Sequence, residues 1–147
     1  MNKSNTNKLI ARYPELYRLF MIGRTPGKPY RSCNVYGFEH GDGWYNIIEE
    51  LSNKISSYIA KLPKDKQEDL YCLQVKEKFG GLRFYMHGYD ETIESYIREA
   101  EKACDVTCES CGSPGTLKGK SWVRTMCDPC DEKRIAERAA RVNNFNK

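Results

Sequence analysis

The sequence predicts an α+β fold: a small helix and β-hairpin domain followed by a C-terminal four-cysteine finger. Three observations lead there. Residues 70–88 alternate apolar and polar side chains around a glycine pair, and the flanking stretches repeat apolar residues at helical spacing. Near the end of the chain, two CxxC pairs stand fifteen residues apart. The chain has 147 residues, a length that suits one hydrophobic core.

Residues 4–22 are expected to be helical, with Ser4 as the cap and Leu9 and Ile10 opening an apolar face. Pro14 fixes its backbone φ and lacks an N–H, so it should break or restart the helix ahead of Leu16, Tyr17, Leu19 and Phe20. The stretch GRTPGKPYR reads as a loop because glycines and prolines punctuate it, and CNVYGFE offers a short strand. Trp44, Ile47, Ile48, Leu51, Ile55, Ile59 and Leu62 then recur at helical spacing, with Asp42 as cap and Pro63 as the stop.

The charged run KDKQED is a surface connection into LYCLQVKEKFGGLRFYMHG. There Tyr71, Leu73, Val75 and Phe79 alternate with Cys72, Gln74, Lys76 and Lys78, and Leu82, Phe84 and Met86 alternate with Arg83, Tyr85 and His87. This is a β-hairpin with its turn at Gly80-Gly81. Asp90 caps a further helix that buries Ile93, Ile97, Ala100 and Cys104. The chain thus divides into a basic helical segment and loop (1–31), an α+β core (32–104) and a finger with a C-terminal helix (105–147).

Seven cysteines cannot all pair, which argues against a disulfide framework and for a reducing compartment. Cys108 with Cys111 and Cys127 with Cys130 each let two thiolates converge on one ion at ~2.3 Å, and an intervening hairpin can close them into a tetrahedral zinc site. Four sulfurs leave no open position for water, so the zinc is expected to be structural. No histidine follows His87 to act as a base beside the finger, and the H-x-E element of the zinc deaminases is missing. The arms at 116–118 and 121–126, with the helix DEKRIAERAARV, make the segment resemble a treble-clef zinc finger of the broad kind that GATA-type fingers use.

The net charge of +4 is spread unevenly. Residues 1–31 carry seven basic side chains against one acidic, 32–103 nine against thirteen, and 104–147 eight against six. Bulk charge therefore does not mark a nucleic-acid binder. Two local groups suit an anion. Lys76, Lys78, Arg83 and Tyr85 are expected to share one face of the hairpin, where they could pair with phosphate or stack a base. Arg24, Lys28 and Arg31 sit among aromatics in the basic N-terminal stretch. The alternative is a metal-dependent nuclease or nucleotide-processing enzyme using Glu77 with Lys78 or Lys76, although only His40, Asp42 and Glu77 stand as placeable acids or bases. In GDGW the simpler account makes Asp42 the cap, Gly41 and Gly43 the shapers of the helix start, and Trp44 its anchor.

GDGW before a helix, QVKEKFGGLRFY on the hairpin, and the two CxxC pairs with Trp122 and Arg124-Thr125-Met126-Cys127 together resemble a family of small proteins encoded by bacteriophages and bacterial mobile elements. The resemblance covers roughly residues 33–130. It implies a zinc site, a host-cell cytoplasmic setting and a role in binding a host protein, a nucleic acid or a signalling nucleotide. It transfers no catalytic residue. No run reaches the ~18 apolar residues of a membrane helix and no export signal is visible, so the expectation is a soluble cytoplasmic protein with no membrane partner. The reading is a non-catalytic, zinc-containing binding protein.

Overall fold

In the computed structural model, which describes residues 1–22 and 37–145, the Asn2 side chain accepts the Asn5 N–H and starts helix α1 (Lys3–Arg12). Ser4 therefore lies inside the first turn and does not cap it. The chain turns at residues 13–17, where Pro14 interrupts the helix, and resumes as α2 (Arg18–Ile22). The loop expected at 23–31 and the first residues of the expected strand lie outside the described residues.

Strand β1 (Phe38–Glu39) leads through a 3₁₀ turn at Asp42–Trp44 into α3 (Tyr45–Ile59), whose Ile48, Leu51 and Ile55 are buried. Asp42 does not cap this helix: its Oδ1 accepts the Asn2 N–H at 2.9 Å and the Asn5 amide at 3.1 Å, which ties α1 to the turn. The stretch expected to be a bare connection contains a short helix, α4 (Lys64–Gln67). Next come β2 (Tyr71–Lys78), β3 (Gly81–His87) and α5 (Glu91–Asp105), whose cap is Asp90, accepting the Ile93 N–H at 3.0 Å. Strands β4 (Thr116–Lys118) and β5 (Arg124–Met126) form a separate hairpin before α6 (Asp128–Phe145).

The main sheet has the order β1-β2-β3, with β1 parallel to β2 and β2 antiparallel to β3. Two local features depart from simple alternation. The turn residues are Phe79 and Gly80, with φ of 55° and 82°, and Gly81 already pairs with Lys78 as the first residue of β3. Two successive left-handed residues match the twist of the strands, and Gly80 takes the second of these positions without the cost a side chain would carry. A bulge at Leu73, between the pairs Cys72↔Met86 and Gln74↔Tyr85, puts Cys72 on the same face as Val75 and turns Tyr71 to the opposite face.

The inner face of the sheet, with Cys72, Val75, Leu82, Phe84 and Met86, packs under the helices against Leu9, Tyr17, Phe20, Ile48, Ile55 and Ile93. Tyr17 meets Phe38 and Phe20 edge-on at 5.0 and 5.2 Å, and its hydroxyl donates to Ser52 Oγ at 2.6 Å while Ser52 donates to the Ile48 carbonyl. Cys104, close in sequence to the first CxxC pair, is a fully buried core residue of α5. The architecture is α+β, with a four-cysteine cluster at its C-terminal end. Among the described residues, no helix is long and apolar enough to cross a membrane.

Candidate metal centre and hairpin face

The sulfurs of Cys108, Cys111, Cys127 and Cys130 lie within 4.8 Å of one another, and those of Cys111 and Cys127 are 3.6 Å apart. Sulfurs bound tetrahedrally at ~2.3 Å stand about 3.8 Å apart, so the cluster can hold one metal ion. Local backbone geometry builds each half. The first pair is folded by a tight turn in which the Gly112 N–H donates to the Cys108 carbonyl at 2.9 Å, and Gly112 takes a left-handed φ of 81°. In the second pair, Cys130 falls in the first turn of α6, which fixes its direction toward Cys127 and Cys111. Hydrogen bonds from the Ser113 hydroxyl and amide pull the Cys111 thiol down to about 6, whereas Cys130, facing Cys127 and Cys111, is pushed up to about 12. Without a cation, ionising one sulfur opposes ionising its neighbour; a divalent ion removes that conflict.

The first cysteine turn docks on GDGW. Gly43 donates its N–H to the Glu109 carbonyl at 2.8 Å, Gly41 donates to Glu109 Oε1 at 2.8 Å, and Trp44 Nε1 donates to the Thr107 carbonyl at 2.8 Å. A Cβ on Gly43 would stand 2.1 Å from the Cys108 carbonyl oxygen, so only glycine allows this approach. Glu109 is 3% exposed, and its other carboxylate oxygen meets Arg124 at 3.3 Å. Burial raises its pKa, an effect that Arg124 opposes. The glycines read as shapers of a helix start thus also form the seat of the cysteine turn.

A second seat joins the two hairpins. The buried Thr125 hydroxyl donates to the Gly80 carbonyl at 2.7 Å, and a Cβ on Gly80 would lie 2.2 Å from the Leu117 side chain. The cysteine segment therefore touches the core at GDGW and at the β2–β3 turn.

The hairpin residues singled out as anion contacts share the outer face of the sheet. Lys76 stands opposite Arg83, Gln74 opposite Tyr85, and Lys78 opposite Gly81. Lys76 Nζ lies 5.4 Å from the Tyr85 ring centre. Glu77, the carboxylate of the enzymatic alternative, accepts the Gly80 N–H at 2.6 Å and so braces the turn. Arg24, Lys28 and Arg31 lie outside the described residues. Arg18, which the sequence places in the basic N-terminal stretch, joins the far end of the outer face together with Tyr71 and His87, which sequence reasoning missed as site residues. The bulge at Leu73 is what turns Tyr71 outward, and no residue type at that position announces it. Glu109 was missed as well, since its role depends on contacts with residues far away in sequence.

In comparisons with protein-family models, with curated proteins and with solved structures, nothing matches this chain.

Proposed function

We propose that this chain is a zinc-containing, non-catalytic binding protein of phage or mobile-element origin, working in the host cytoplasm on an anionic partner. Its finger is of treble-clef type: cysteine turn, β4–β5 hairpin, and the start of α6. The convergence of four sulfurs within 4.8 Å carries this reading. Thiolate is a soft donor, and a set of four selects zinc among the common structural ions. Because they complete a tetrahedron, the ion offers no position to a reacting water and acts by holding shape. The finger is fastened to the core at the seats formed by Gly43 and Gly80, so the ion fixes the cysteine segment on the edge of the sheet that carries the cationic hairpin face.

Metal analysis of protein purified without chelators should give about one zinc per chain. Cys108→Ser should lose both zinc and folded structure. Full zinc retention in that variant would reject the ligand set, and metal-free wild-type protein with unchanged folding would reject the structural role.

A further inference from the structure

We infer that the outer face of the β2–β3 hairpin is a platform for single-stranded nucleic acid, read through phosphates and base stacking; the inference deepens the binding-protein reading and rests on it for the nature of the partner. The face carries alternating cations and rings. At one end the Arg18 guanidinium lies 3.9 Å over the Tyr71 ring, and Tyr71 stacks on His87 at 4.7 Å with the planes 9° apart. In the middle Tyr85, 42% exposed, lies under Lys76, which is paired across the strands with Arg83. At the turn Phe79 is 72% exposed, with Lys78 Nζ 5.3 Å from its ring centre.

Three points favour a nucleic-acid strand over other anions. Among the described residues, Arg18, Lys76, Lys78 and Arg83 make no ion pair, whereas Arg12, Lys54, Arg98, Lys118, Arg124 and Arg134 on other surfaces each hold a carboxylate. On the same face Glu39 stands beside Lys76 in the strand register and accepts the Gln74 amide at 2.8 Å, and Glu101 and Asp105 flank Arg83 from α5. Arg18 gives one N–H to the Glu68 carbonyl and Arg83 one to the Leu82 carbonyl; their other N–H groups and the two lysine ammoniums have, among the described residues, no carboxylate within ion-pair distance and can meet phosphate. Second, Tyr71 is sandwiched between Arg18 and His87, so the rings open to a base are His87, Tyr85 and Phe79, which follow the length of the hairpin over roughly 25 Å at ~3.3 Å per residue, a match to several stacked nucleotides and far more than a mononucleotide fills. Third, Phe79 holds a left-handed φ of 55°, a conformation costly for a bulky residue, to display its ring in solvent. A duplex buries its bases, so stacking rings select the single strand.

The test uses the zinc-loaded full chain with a fluorescein-labelled oligothymidylate and its oligouridylate counterpart, each about a dozen nucleotides long, followed by anisotropy. Four phosphate contacts predict about a 50-fold loss of affinity between ~50 and ~200 mM salt. Lys76→Ala and Arg83→Ala should each lower the salt slope by ~0.7. Tyr85→Ala should weaken binding roughly 5- to 150-fold while leaving the slope unchanged. Lys61→Ala, beyond the helix that packs on the inner face, should have no effect. Circular dichroism of each variant confirms folding. Absence of binding at low salt by folded, zinc-loaded protein, equal binding of a duplex, or binding indifferent to Lys76, Arg83 and Tyr85 would overturn the platform. Binding through these residues by protein that carries no zinc would uphold it while rejecting the zinc reading, and the relative affinities of the two oligonucleotides decide between DNA and RNA.

Discussion

The N–H of Gly43 donates to the carbonyl of Glu109 at 2.8 Å, main chain to main chain, and this contact locks the start of α3 to the cysteine turn. Space, not conformation, makes glycine necessary here, because a Cβ would press on the Cys108 carbonyl oxygen and on the Gly112 nitrogen at 2.5 Å. Those atoms belong to a hydrogen-bonded backbone turn that cannot move aside.

Gly43→Ala should therefore destabilise the protein by about 1–3 kcal/mol or more, the range of steric overpacking in a well-packed site. Urea unfolding of the zinc-loaded variant checks this, and an unchanged midpoint would contradict the docking of the turn on GDGW.

His40 gives a pH dependence. Its ring lies against Phe38 and Trp44, its Nδ1–H donates to the Gly41 carbonyl at 2.8 Å, and its Nε2 is buried with no hydrogen-bond partner. Burial pushes its pKa down from 6.5 to about 4. The unfolded chain then binds the proton more readily than the native one, so stability is full above the unfolded value and is lost as pH falls from 6.5 towards 4. His40→Phe keeps an aromatic ring and removes that titration. Between pH 7 and 5 the wild type should lose about 2 kcal/mol more than the variant in urea unfolding. Parallel pH profiles for the two proteins would refute the assignment.

The sequence was legible where one element decides its own structure. Pro14 marks the break after α1, Asp90 caps α5, and the helical spacing of Ile48, Leu51 and Ile55 identifies the buried side of α3. The spacing of the two CxxC pairs announced their convergence. It was illegible where a distant partner or a local irregularity decides. Asp42 has the chemistry of a cap, yet Asn2 and Asn5 compete for its carboxylate. The bulge at Leu73 reverses the facing of Tyr71 because one added residue shifts a period of two. Gly80-Gly81 looked like the turn, but a left-handed pair needs its glycine at the second position, and that places Phe79 at the first.

Phe79 yields the third expectation. Asparagine tolerates the left-handed region better than phenylalanine, and the Phe79 ring gains little from burial. Phe79→Asn should therefore raise stability by about 1 kcal/mol. The same variant should weaken oligonucleotide binding, because it removes a stacking surface. A stability gain with unchanged affinity would remove Phe79 from the platform, and a stability loss would show that the turn is not strained.

The seat on GDGW also sets an order of assembly. Gly41, Gly43 and Trp44 emerge early in synthesis, while the acceptors that complete them, on Thr107 and Glu109, follow some sixty residues later. Until then three donors have only water to satisfy them. A nascent chain halted before the first cysteine pair would present an unfinished edge to chaperones and proteases, and synthesis of residues 107–109 closes it.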